Sequence, residues 1–195
     1  MINKEDILKD LKLNLSKERY QHSLSVAKKA KELAKKYDLD VEKCELAGLL
    51  HDCAKGLENH YEEVYREDFQ KHISRDENEQ FKNPYLKHCL LGKIVAKNKY
   101  NVDDFELLKA IKEHTTGSIG MSELGKVLYL ADKTEDMRDY KGVEEIRQLS
   151  LKDMDRAIVL SLNNTIVHLI DKDRMIAPES VELRNYLIGG FSEGN

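Results

Sequence analysis

The stretch Leu49-Leu50-His51-Asp52-Cys53-Ala54-Lys55 places an imidazole, a carboxylate and an ammonium in a segment otherwise built for burial, with Cys44, Leu46 and Ala47 leading into it. A carboxylate among such side chains is costly unless a cation or hydrogen-bond donors compensate it. A metal ion is one such compensation. On a helix, Lys55 stands four residues from His51 and three from Asp52, beside either of them. A compact metal-plus-anion site is therefore geometrically available. The competing reading is a buried His-Asp pair near a helix end that serves packing alone, and the rest of the chain must decide between the two.

Four further residues share the same inward placement. His22 lies one helical turn before Val26 on a stripe continuing through Ala30, Leu33 and Tyr37, in a helix that Ser16 can cap. His88 follows Asn83-Pro84, a cap and first helical residue, on a helix with Leu91 and Val95. Gly92, one turn beyond, leaves space for a backbone or a ligand. His114 continues the spacing of Leu107 and Ile111 just before Thr115-Thr116-Gly117 ends that helix, and Asp132 closes the apolar run 127–131 on a helix capped by Ser122. Any one of these is most simply a hydrogen-bonded core residue. Six of them, on five predicted helices, make an expensive core unless they converge. Imidazole and carboxylate donors suit first-row divalent metals such as iron, manganese or zinc.

The elements that must hold them are helical. Of 195 residues 35% are charged and 41% hydrophobic, with two prolines, no tryptophan and much Lys, Glu and Leu, which predicts an all-α single domain spanning 1–195. Asn3 can cap a first helix bearing Ile7, Leu8 and Leu11, and the helix carrying His51 and Asp52 should stop at Gly56. From Glu58 to Lys82 the chain is heavily charged and reads as a short helix and a surface excursion, with His60 and His72 solvated. Helices follow over Val143 to Leu149 and through Met154, Ile158, Leu162, Ile166 and Leu169, where His168 reads as structural. A connection around Pro178 leads to a last short helix ending at Gly189-Gly190.

The net charge of −4 argues against a broad nucleic-acid surface. No apolar run approaches the roughly 20 residues needed to span a bilayer, and the N-terminus lacks a signal core, so a cytoplasmic protein without a membrane partner is expected. Cys44, Cys53 and Cys89 lack CxxC spacing and read as small buried apolar residues.

The order His22, His51-Asp52, His88, His114, Asp132 resembles the HD superfamily of metal-dependent phosphohydrolases, and within it the bacterial YqeK-like symmetrical diadenosine tetraphosphate hydrolases. The strings carrying the likeness are Arg19-Tyr20-Gln21-His22-Ser23-Leu24, Leu50-His51-Asp52-Cys53-Ala54-Lys55, Ile111-Lys112-Glu113-His114-Thr115-Thr116-Gly117 and Leu130-Ala131-Asp132-Lys133, together with Arg138 and Gly142-Val143-Glu144-Glu145-Ile146-Arg147. The likeness runs over about 16–188.

The resemblance implies a helical HD bundle with a metal site at its centre, where His22, His51, Asp52 and Asp132 hold iron, with manganese, cobalt or zinc as substitutes. It leaves His88 and His114 on the open side, toward phosphate or a second metal. Asp52, Lys55, His88 and His114 would then be catalytic. His22 would line the substrate with these four, Lys55, Thr115, Thr116 and Arg138 would contact its phosphates or an ADP moiety, and Ile176 and Pro178 would border a base. The implied reaction cuts diadenosine tetraphosphate into two ADP through a metal-bound hydroxide, in a chain that is compatible with a homodimer. A metal lowers the pKa of a coordinated water toward neutrality, and His88 or His114 titrates in the range needed to protonate a leaving oxygen. The rivals are an HD phosphohydrolase acting on nucleoside mono- or triphosphates or cyclic nucleotides, and a non-catalytic HD-like binding scaffold.

Overall fold

A computed structural model of the chain describes residues 3–74 and 83–192. Among them lie eleven helices and no strand. They are α1 (Lys4–Asn14), α2 (Lys17–Lys36), α3 (Val41–Leu50), α4 (Glu58–Val64), α5 (Arg66–Ile73) and α6 (Lys87–Asn98), then α7 (Phe105–Glu113), α8 (Glu123–Thr134), α9 (Val143–Ser150), α10 (Met154–Asp171) and α11 (Pro178–Ser192). The all-α expectation holds.

Local chemistry starts most of these helices where the sequence places them. Side-chain oxygens of Asn3, Ser16 and Ser122 accept the backbone N–H three residues on, as do those of Asp40, Asp104 and Asp153. Each such cap is worth about 1 kcal/mol. Helices α2, α3 and α8 form the centre, with Val26, Ala30, Leu33, Ala47, Leu50, Val127, Leu130 and Ala131 wholly buried. Gly48 lets α2 and α3 touch backbone to backbone, since a Cβ there would meet the Ala27 Cα at 2.6 Å. Gly92 on α6 makes the space its spacing suggested, and a backbone fills it: a Cβ would meet the His51 carbonyl oxygen at 3.2 Å.

Several boundaries differ from expectation, and one shapes the site. Helix α3 stops at Leu50 rather than at Gly56. The chain then runs through tight turns in which Cys53 N–H bonds to Leu50 O, Lys55 N–H to Asp52 O and Leu57 N–H to Ala54 O. Gly56, at φ +80°, lies in that turn and not at a helix end. His51 and Asp52 thus stand on a helix terminus, and Lys55 reaches them across a turn. Pro84 also belongs to a turn, in which the Asn83 side chain accepts the Tyr85 N–H, and α6 begins only at Lys87.

The charged excursion carries two helices, because Tyr61 and Phe69 anchor them against the core. Within it His60 is exposed and His72 half-buried, while residues 75–82 lie outside those described. His168 is exposed, since the buried stripe of α10 ends at Leu162. Pro178 is itself the first residue of α11, which passes through Gly189-Gly190 instead of ending there.

Candidate metal centre

All six predicted polar residues meet at one buried point. His22 Nε2 lies 3.3 Å from His51 Nε2 and 3.1 Å from Asp132 Oδ1. Asp52 Oδ2 is 3.4 Å from His51 Nε2 and 3.8 Å from His22 Nε2. The other oxygen of the same carboxylate, Oδ1, lies 3.4 Å from His88 Nε2 and 3.5 Å from His114 Nε2. None of the six is more than 7% exposed.

Backbone and carboxylate partners aim three of the imidazoles. His51 and His114 sit at the C-caps of α3 and α7, so each ring turns back on a carbonyl its helix leaves unpaired. His51 Nδ1 donates to Gly48 O and His114 Nδ1 to Ile111 O, both at 2.7 Å. His22 Nδ1 is 3.1 Å from Glu135 Oε1, a carboxylate 1% exposed. With Nδ1 engaged outward, each Nε2 faces the centre, the arrangement that metal-binding histidines use. Asp52 Oδ1 is buried and accepts no hydrogen bond. Converging ring nitrogens and a carboxylate oxygen without a hydrogen bond fit a cation.

Cations already ring the centre. Arg19 Nη1 lies 2.6 Å from Asp52 Oδ2, and Arg138 reaches Asp132 with Nη2 on Oδ1 at 2.5 Å and Nε on the backbone carbonyl at 2.7 Å. Lys133 Nζ is 3.1 Å from Asp132 Oδ2, and Lys55 Nζ is 3.3 Å from His88 Nε2. Burial pushes both aspartates up, yet their neighbours win. The imidazoles of His51 and His114 and the Lys55 ammonium hold Asp52 well below the carboxylate range. Lys133, His22 and Arg138 do the same for Asp132. Burial drives His51 toward its neutral form against the pull of Asp52. His114 moves the other way, to about 10, because Cys89 and Asp52 outweigh its burial.

The remaining predicted residues divide. Thr115 is half-buried with Oγ1 3.5 Å from His88 Nε2, whereas the Thr116 hydroxyl donates to Gly117 O and serves the turn. Ile176 is half-buried and Pro178 exposed, and their segment approaches the centre through Ser180 Oγ, which donates to Thr116 O at 3.0 Å. Four residues at the centre received no role from the sequence. Arg19 is one turn before His22 and Glu135 one turn after Asp132, so helical spacing from a predicted ligand points to both. Lys133 follows Asp132 directly. Cys89, next to His88, reads as core from its type alone, yet its Sγ lies 3.4 Å from His88 Nε2 and 3.2 Å from Thr115 Oγ1.

Residues 19–137 match the HD domain family, and the chain belongs to it. A helical bundle carrying a His/Asp metal centre is what the fold and site describe on their own. Within that family the chain falls with proteins named symmetrical bis(5'-nucleosyl)-tetraphosphatase. It is 34% identical to the one from Bacillus subtilis (strain 168), across 97% of this chain and all of that one. To the one from Staphylococcus aureus (strain NCTC 8325 / PS 47) it is 33% identical, across 90% and 89%. A crystal structure of a predicted HD superfamily hydrolase involved in NAD metabolism, from Clostridium acetobutylicum, superposes with a TM-score of 0.86 at 39% identity, covering 97% of this chain and 98% of that one.

Proposed function

We propose that the protein hydrolyses dinucleoside polyphosphates and cuts diadenosine tetraphosphate symmetrically into two ADP. The observation carrying this reading is the convergence of His22, His51, Asp52 and Asp132 beside the imidazoles of His88 and His114, in a chain whose relatives bear the name symmetrical bis(5'-nucleosyl)-tetraphosphatase over their full length. His22, His51, Asp52 and Asp132 hold a divalent metal, iron first, with manganese, cobalt or zinc as substitutes. When bound, it supplies Lewis acidity and a hydroxide source near neutral pH.

The chain's own groups do the rest. Lys55 and Arg138, each with a side chain about a third exposed, reach from the buried centre toward solvent and receive the phosphates. Arg138 offers two parallel donors, which Lys55 cannot. Thr115 adds a hydroxyl beside His88, and His88 or His114 delivers the proton to the leaving oxygen. Ile176 and Pro178, on the segment tied to Thr116 through Ser180, border the base. The cytoplasm as location and a homodimer as assembly belong to the same proposal. No helix among the described residues is long and apolar enough to cross a membrane.

Product analysis in heavy-oxygen water decides the cut. ADP as sole nucleotide product, half of it carrying the label, is expected. AMP with ATP would mean an asymmetrical cut. Turnover of nucleoside mono- or triphosphates or cyclic nucleotides without turnover of the dinucleotide would make the protein a different HD phosphohydrolase, and metal-free protein as purified, inert after metal addition, would make it a binding scaffold.

A further inference from the structure

We propose that the cleft between the C-terminal half of α10 and the loop entering α9 is a second nucleotide subsite, which takes the half of the dinucleotide lying beyond the bond to be cut. Its volume is about 700 Å³, and Lys133, Tyr140, Lys141, Asn164 and His168 line it together with the carboxylates of Glu145 and Asp171. One nucleotide fits such a space, since small-molecule sites run from about 300 to 1,000 Å³. The role of the cleft in turnover rests on the reading given under Proposed function.

The symmetry of the substrate asks for a second receptor. A chain cut at its middle leaves as much ligand on one side of the metal as on the other, and Thr115, Ile176 and Pro178 account for one nucleoside only. The cleft starts beside the metal centre. Lys133, on its wall, has Nζ 3.1 Å from Asp132 Oδ2, and Arg138 holds the other oxygen of that carboxylate. Phosphates that leave the metal past Asp132 therefore meet the Lys133 ammonium, and Lys141 is a second cation within the same cleft.

Several of these side chains have no use inside the fold. Asn164 is half-buried, Lys141 and His168 are exposed, and none of the three makes a hydrogen bond or ion pair among the described residues. The Asn164 amide presents a donor beside an acceptor, the pattern that pairs with an adenine edge. The rings of Tyr140 and His168 offer faces on which a base stacks, and carboxylates such as Glu145 and Asp171 accept ribose hydroxyls. The walls already stand in place. Tyr140 Oη donates to Lys133 O at 2.9 Å, and Gly142, at φ +91°, brings the loop so close to α10 that a Cβ there would meet Asn164 Nδ2 at 2.9 Å. A preformed site loses less affinity to ordering.

Affinity reads the cleft without turnover. The probe is diadenosine tetraphosphate with a methylene group in place of the oxygen between its second and third phosphates, titrated calorimetrically into the metal-loaded protein beside ADP. Wild type should bind this analogue more tightly than ADP. In His168→Ala and in Asn164→Ala the ratio of the two affinities should fall about 5- to 150-fold, the worth of one base-stacking or bidentate base contact. Neither substitution removes a bond within the protein, so a lowered ratio reports the ligand. With the cleavable dinucleotide, KM should rise in both variants while kcat holds, as expected when binding common to ground and transition states is lost. Equal wild-type affinity for the analogue and ADP, a ratio unmoved in both variants, or a crystal structure of the complex with the second adenosine outside the cleft would overturn the subsite. A ratio that falls in the variants of a protein that turns over no dinucleotide upholds the subsite and overturns instead the reading under Proposed function.

Discussion

The two halves of the centre share one carboxylate and differ in almost everything else. On the Oδ2 side of Asp52, His22 and Asp132 lie within long helices, α2 and α8, whose backbones fix them. That side is backed by Glu135 and by Arg19, Arg138 and Lys133, and Arg147 in turn bonds three carbonyls, those of Thr134, Glu135 and Arg138, locking the chain past Asp132. On the Oδ1 side, His114, Thr115 and Lys55 all occupy helix ends or turns, and His88 and Cys89 lie within a helix but in its first turn. One half is over-determined and the other adjustable. Holding a metal asks for the first. Meeting a phosphate chain, moving a proton and exchanging partners ask for the second.

The strongest test of that division removes the shared group. Asp52→Ala should lose bound metal and turnover together while its circular dichroism stays helical; full metal occupancy in this variant would show the carboxylate to be structural and erase the distinction. Next come His88→Ala and His114→Ala, expected to lower turnover about 10²- to 10⁴-fold, the usual worth of a positioned acid or base, with metal content kept. Loss of metal as complete as in Asp52→Ala would move both residues to the metal-holding half. Glu135→Gln should act more gently, weakening metal affinity roughly 10- to 100-fold through the orientation of His22. Turnover recovers at saturating metal if Glu135 only positions His22, and stays low if it does more.

The same asymmetry explains what could be read from the sequence. His22 and Asp132 are legible because mid-helix positions obey spacing: an apolar stripe of period 3.6 announces which way the side chain points. His51 and His114 are legible as inward residues, but their function as C-caps depends on where α3 and α7 stop, and tertiary packing sets those ends. The turn 51–56 reads as helix because it continues the apolar helical run 44–50 with no proline and no glycine between Leu50 and Gly56; burial, rather than propensity, selects the tight turns. Glu135 and Arg19 stand at helical spacing from the predicted ligands Asp132 and His22 and could have been found. Cys89 could not, because a buried thiol in a core and a buried thiol beside two imidazoles are the same letter. Ile176 and Pro178 entered through resemblance alone, and the bond that ties their segment to the centre comes from Ser180, a residue with no motif around it.

The smallest expected effect separates the halves by the sign of their pH dependence, measured on metal-stripped protein. In the over-determined half Asp132 is held well below the carboxylate range, and an unfolded Asp titrates near 3.9. The unfolded chain therefore binds the proton first as pH falls. Stability from Asp132 is complete above about 3.9 and drains away as pH drops toward its native value. His51, kept neutral by burial, adds loss in the same direction from about 6.5 downward. In the adjustable half His114 is pushed up to about 10, so the native state keeps its proton longer than the unfolded one. Its contribution is complete below about 6.5 and fades as pH rises toward 10. Urea midpoints followed across pH should thus show Asp132→Asn flattening the acid limb alone and His114→Gln flattening the limb above neutrality alone. If both variants change the same limb, the centre titrates as one unit, and the division into a locked half and an adjustable half does not describe its electrostatics.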